Sequence, residues 1–161
     1  MTKHVGDSRA EFSIQPVVTE KTVGAAFFCT YERRSLVPNQ PDTICVVDDD
    51  TSVLKSLGHL LSSAGLRMTG FNDPRLFLEH AKEHIVALVI IDVLMPELDG
   101  WEVQRILHMI APATPVIIMT GRDDPGMDRT AFAQGAVGFF TKPFNDSAFL
   151  EAVLRALPAL E

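Results

Sequence analysis

No apolar run in the 161 residues approaches the eighteen or so that a membrane-spanning helix needs. The first dozen residues, MTKHVGDSRAEF, lack the apolar core of a secretory signal. A cytoplasmic protein with no membrane partner is expected. Cysteine is scarce: Cys29 and Cys45 stand far apart, the second inside an apolar run, so neither a zinc site nor a disulfide framework is implied. Positive charge is also short. Residues 1–42 balance at five acidic and five basic groups, while residues 43–161 hold 16 acidic and 9 basic groups and so all of the net charge of −7. A domain that acidic is a poor nucleic-acid binder on its own. The histidines, His4, His59, His80, His84 and His108, are scattered and mark no phosphodonor site.

What is present is organised around residues 86–100, VALVIIDVLMPELDG. Six apolar residues, Val86 to Ile91, run unbroken to Asp92. A short run rich in Val and Ile reads as a parallel strand buried on both faces. Asp92 then sits at its carboxyl end, where open α/β sheets bind ligands. Pro96 and Gly100 break the chain before a helix.

From Thr43 onward the chain alternates strand and helix five times. Residues 44–47 form an apolar strand ending in Asp48, Asp49 and Asp50, and Val53, Leu57, Leu60 and Leu61 recur at helical spacing until Gly65. A weaker strand covers residues 66–71, and Asp73-Pro74 begins the second helix. After the Asp92 strand comes a third helix through Val103, Ile106, Leu107 and Ile110. PVIIMT at 115–120 is a fourth strand, Asp124-Pro125 starts a helix that ends near Gly135, and residues 137–141 form a fifth strand. Lys142-Pro143 makes a turn, and Asn145 opens the last helix. Five such repeats demand a doubly wound parallel sheet. Residues 1–42 form an N-terminal extension of unassigned role. In it the patch AAFFCTY at 25–31 reads as a strand or a short helix, and LVPNQPD at 36–42 as a linker.

In a sheet of order 2-1-3-4-5 the first and third strands flank the crevice. Asp48, Asp49 and Asp92 converge there, with Thr120 and Lys142 closing strands four and five. Two carboxylates about 5 Å apart repel by roughly 3 kcal/mol at an effective dielectric near 20. A hard cation relieves that conflict, and Mg²⁺ takes one or two carboxylates plus waters and phosphate oxygens. Lysine offers a point charge to a phosphate and threonine a hydroxyl donor. The set suits phosphoryl transfer to an aspartate. Singly, each residue has a plainer role: Asp48 to Asp50 as a helix cap, Thr120 as a strand-end hydroxyl, Lys142 as a surface lysine.

VVDDD at 46–50, DVLMPELDG at 92–100, MTG at 119–121 and GAVGFFTKPF at 135–144 together resemble the receiver domain of bacterial two-component response regulators. The resemblance covers about residues 43–158 and implies a flavodoxin-like fold. It implies Asp92 as phosphoacceptor from a histidine kinase, not a conventional enzyme. It implies Mg²⁺ held by Asp49 and Asp92, by the backbone carbonyl of Leu94, and by Asp48 in support. It implies Lys142 paired with phosphorylated Asp92, Thr120 and Phe139 as the switch pair, and a cis Lys142–Pro143 bond. Details such as FFTKPF are similar to receivers of the nitrogen-fixation regulator type, which usually carry a helix-turn-helix domain. Glu161 follows the last helix closely, so a receiver signalling by protein contact is expected, through helix four, strand five and helix five, to a partner or a second copy. Phe140, Phe144 and Phe149 make that region aromatic-rich, as contact surfaces are; the plainer alternative is that they are all core and residues 1–42 cover the face permanently. The alternatives are a receiver fragment of a longer DNA-binding regulator and a phosphohydrolase of the haloacid dehalogenase type. The latter would use Asp48, Asp50, Thr120 and Lys142 but leave Asp92 without a role.

Overall fold

A computed structural model describes residues 21–23, 26–29 and 44–158. Ile44–Val47 (β3), Met68–Phe71 (β4), Leu88–Asp92 (β5), Val116–Thr120 (β6) and Gly138–Thr141 (β7) form the five parallel strands. They alternate with Thr51–Ser63 (α1), Pro74–Glu83 (α2), Gly100–Ile110 (α3), Met127–Ala133 (α4) and Asp146–Ala156 (α5). Counted from β3, their order in the sheet is 2-1-3-4-5, as the strand–helix alternation requires. Two further strands, Lys21–Val23 (β1) and Ala26–Cys29 (β2), make an antiparallel hairpin beside β4. The apolar patch at 25–31 thus contains a strand, and β4 is not the outermost one. The linker expected at 36–42 lies outside the described residues. No helix among the described residues is long and apolar enough to cross a membrane.

The core divides by strand parity, because successive strand residues point to opposite faces. Cys45, Val47, Val89, Ile91, Val116 and Ile118 pack with Phe77 of α2, with Val103 and Leu107 of α3, and with Ala131 of α4. Ile44, Val46, Leu88, Ile90, Ile117 and Met119 pack instead with Leu54, Leu57 and Leu61 of α1 and with Phe149 and Val153 of α5. Cys45 is wholly buried, and burial pushes its thiol up to about 12, so it behaves as a small apolar residue.

Local chemistry fixes the helix ends. Asp50, Asp73, Asp99 and Asn145 each accept a backbone N–H from the first turn of the helix that follows. Gly65, at φ 73°, ends α1: its N–H reaches the Ser62 carbonyl, and that of Leu66 reaches Leu61. The fourth helix starts later than Asp124-Pro125 predicts. The Met127 N–H closes a turn on the Asp124 carbonyl, and Gly126, at φ 88°, is an N-cap without a side-chain bond. Pro125 therefore belongs to the turn, and α4 keeps seven residues with one buried, Ala131. The aromatic cluster is also reassigned. Phe140, Phe144 and Phe149 pack ring on ring, with centroids 4.5 to 5.7 Å apart, and Phe149 is fully buried. They join the core beneath α5, with Phe140 and Phe144 left partly exposed.

Gly100 sets how closely α3 approaches β5. A Cβ there would overlap the Asp92 carbonyl oxygen and lie 2.8 Å from the Val93 Cα, both backbone atoms that cannot swing aside. Gly100→Ala should lose on the order of 3 kcal/mol of stability, read from the urea midpoint. A loss under ~1 kcal/mol would show that this approach is not tight.

Candidate functional site

Three strand ends meet at the carboxyl edge of the sheet. β3 delivers Asp48 and Asp49, β5 ends on Asp92, and β7 delivers Lys142 directly after Thr141. Backbone bonds hold these ends together. The Asp48 N–H donates to the Phe71 carbonyl at 3.0 Å, the Val93 N–H to Met119 at 2.9 Å, and the Lys142 N–H to Thr120 at 2.7 Å. Lys142 therefore arrives over the crevice with its main chain fixed to β6. The Lys142–Pro143 peptide bond is cis.

Asp48 is 1% exposed and both its oxygens are taken. Oδ1 accepts the Asp50 N–H at 2.9 Å and Oδ2 accepts from Lys142 Nζ at 2.7 Å. Asp50 turns away to cap α1, bonding the Ser52 N–H at 2.8 Å. The three consecutive aspartates thus have different tasks, and the cap role falls to the last alone. Asp49 is exposed. One oxygen each from Asp48, Asp49 and Asp92 lie within 4.8 Å of one another.

Asp92 is 3% exposed, and its Oδ1 has no hydrogen-bond partner among the described residues. Lys142 Nζ stands 3.4 Å from that oxygen, within ion-pair range but without a hydrogen bond. Burial, then the neighbouring Asp48 charge, push the Asp92 carboxyl up to about 6. Burial also raises Asp48, against the pull of Lys142. Burial is the largest single influence on Lys142 and would lower it, but its bond to Asp48 and the charges of Asp48 and Asp92 together outweigh this and leave it raised, hence charged. One lysine cannot neutralise a site of three carboxylates. A buried unpaired oxygen in an all-oxygen donor set fits a hard divalent cation.

Thr120 is fully buried, and its Oγ1 accepts the Arg122 N–H at 3.1 Å, which leaves its proton free to be donated elsewhere. Phe139 is half-buried and packs on the cluster that includes Ala131 and Met127. Leu94 lies on the loop after β5, its side chain 42% exposed. By strand parity Asp48, Asp92 and Lys142 follow the residues that face α1 and α5, whereas Thr120 and Phe139 follow those that face α4. A separate groove of about 720 Å³ between α3 and α4, lined by Trp101, Arg105, Met109 and Gln134, is set apart from the carboxylates. Sequence reasoning did not assign Asp99, the N-cap of α3. Its position two residues before Trp101, at the opening of an apolar helical repeat, was the available signal.

The raised Asp92 carboxyl has a consequence for stability without added metal. Folding favours its protonated form, so the associated stability is complete below the ordinary value of 3.8 and disappears as pH rises through about 6. In metal-free buffer at pH 7.5, Asp92→Asn should be more stable than wild type by roughly 2–3 kcal/mol. Below pH 4 the difference should vanish. Equal urea midpoints at pH 7.5 would show that Asp92 carries no such strain.

Residues 44–154 match the family described as response regulator receiver domain. The chain is similar to the response regulator protein TmoT of Ectopseudomonas mendocina, 38% identical over 124 residues, covering 77% of this chain and 56% of that one. It is also similar to the crystal structure of FixJ-N, at a TM-score of 0.68 and 34% identity, covering 76% of this chain and all of the other. The solution structure of the beryllofluoride-activated NtrC4 receiver domain dimer matches at a TM-score of 0.69 and 28% identity, over 72% of this chain and 96% of the other. The chain spans about half the length of the curated relatives it matches. With its doubly wound sheet and its aspartates gathered at the strand ends, the chain belongs to the response regulator receiver domains.

Proposed function

We propose that this receiver takes a phosphoryl group onto Asp92 from a histidine kinase, in a Mg²⁺-dependent reaction, and passes the signal on by protein contact in a cytoplasmic setting. The observation that carries this reading is the buried Asp92 Oδ1, unpaired among the described residues and 3.4 Å from Lys142 Nζ. A carboxylate oxygen of Asp92 attacks phosphorus, the bond from phosphorus to the donor imidazole nitrogen breaks, and its electron pair leaves with the imidazole. Phosphohistidine becomes histidine and Asp92 an acyl phosphate. Lys142 stands where the new phosphoryl oxygens arrive and can exchange Asp48 for them. Asp49 and Asp92, the Leu94 carbonyl and, in support, Asp48 would hold Mg²⁺, which offsets negative charge on the carboxylates and the transferring group.

Thr120 has a hydroxyl proton to give, and a charged phosphoryl oxygen is a stronger acceptor than a neutral one. Its movement toward Asp92 would open space for Phe139. The adjacent helix α4 is the natural responder, since only Ala131 of its seven residues is buried. Phe132 and Val137, 52% and 54% exposed, give the α4–β7–α5 face its apolar character in place of the aromatic trio. A second copy or a partner protein is the expected reader, and the dimer named for the NtrC4 receiver supports this. The haloacid dehalogenase alternative fares worse, because Asp50 serves as a helix cap and Asp92 holds the site. The reading as part of a longer DNA-binding regulator stays open, favoured by the half-length match to relatives that include a transcriptional regulatory protein, FixJ of Bradyrhizobium diazoefficiens. Both share the chemistry of Asp92.

With acetyl phosphate and Mg²⁺ the chain should gain one acid-stable, base-labile phosphate, and Asp92→Asn should gain none. Labelling of that variant at full stoichiometry would refute the assignment. Asp49→Ala should weaken Mg²⁺ binding at least tenfold and slow labelling with it. An unchanged Mg²⁺ titration would remove Asp49 from the ligands. Thr120→Ala should accept phosphate yet give a smaller change in fluorescence of Trp101, the single tryptophan, which lines the α3–α4 groove. A full response in that variant would exclude Thr120 as the switch.

A further inference from the structure

β4 is the outermost of the five parallel strands on its side, and among the described residues only the hairpin lies beyond it: on one side it pairs with β3, and on the other with β2, Ala26 opposite Phe71 and Cys29 opposite Met68. β1 completes the hairpin, with Lys21 opposite Phe28. The family match begins only at residue 44, so the hairpin lies outside it. A free sheet edge presents unpaired N–H and C=O groups to other chains, and proteins blunt such edges with charge or proline. β4, MTGF, has neither, and all four of its residues are buried. The opposite edge, β7, is followed at once by Lys142 and Pro143. β1, the new outer strand, begins with a lysine.

The connection back into the domain is generous. Cys29, Met68 and Ile44 are successive partners across the sheet. The chain leaving β2 must therefore cross two strand spacings, about 10 Å, to enter β3. It has residues 30–43, fourteen in all, for that step, and each can extend about 3.3 Å. Nothing in that length forces the hairpin against β4, and a two-stranded hairpin alone is marginal in water. Its order comes from the edge it covers.

We propose that the outer edge of β4 is a strand-docking site whose resident occupant is this chain's own β1–β2 hairpin, held reversibly, and that the hairpin keeps a second copy of the chain off that edge. Main-chain hydrogen bonds supply the docking, as in other cases of strand addition. This guard is independent of Asp92 chemistry and stands whether or not the domain is phosphorylated.

The test uses the full chain. Phe27 lies opposite Gly70, and Phe27→Pro removes its N–H and breaks the strand, whereas Phe27→Ala keeps the backbone. In hydrogen exchange the amides of Met68 and Gly70, which face β2 while those of Thr69 and Phe71 face β3, should exchange at least tenfold faster in Phe27→Pro than in wild type or Phe27→Ala, while β5 and β6 stay protected. Sedimentation of the same variant should shift toward dimer as concentration rises, beyond wild type. Phe28→Cys/Thr69→Cys joins two directly opposed positions, and once oxidised it should show wild-type protection and no such shift, which decides the matter if the proline variant fails to fold. Unchanged exchange in β4, a cross-link that does not form, or an open β4 without added self-association would each overturn the proposal.

Discussion

The site depends on one electrostatic conflict. Asp48 and Asp92 are both buried at neighbouring strand ends with a single lysine between them, and that lysine is bonded to Asp48. A buried carboxylate without a full partner is expensive, and under the proposed function a cation and a phosphoryl group would relieve it. Asp92 is thereby held in a state that gains from any ligand able to neutralise it. The same conflict that costs stability at Asp92 would, under the proposed function, make the charged, liganded site favourable.

Most of the architecture was legible because the parallel strands are buried on both faces. Such strands appear as short unbroken apolar runs, and each polar residue that ends one marks the carboxyl edge. Asp92, Thr120 and Lys142 could be placed together on that rule alone, before any coordinates. Helix starts were legible where an acid or amide caps them, as at Asp73 and Asn145. The start of α4 was not, because Asp124-Pro125 imitates the Asp73-Pro74 signal while Gly126 redirects the backbone.

Three other features escaped for reasons of context. The rings of Phe140, Phe144 and Phe149 could be surface or core from sequence alone, since only the packing of α5 on the sheet decides which. The hairpin could not be read because the pairing of β2 with β4 joins segments some forty residues apart with no shared local period. The division of labour in Asp48, Asp49 and Asp50 likewise needed coordinates: three identical side chains became an ion-pair partner, an exposed carboxylate and a helix cap through backbone direction alone.

The parity of the strands carries a last consequence. The sheet is a partition one residue thick, and Asp48, Asp92 and Lys142 continue the rows that rest on α1 and α5, while Thr120 and Phe139 continue the rows that rest on α4. Under the proposed function, a message would be written on one side of that wall and read on the other, crossing it only at the rim of the strands. The half behind α1 and α5, locked by Leu61, Phe149 and Val153, can then remain a stationary bed. Sequence drift on that side would alter how firmly the domain stands without altering what it says, whereas drift around α4 would change the listener.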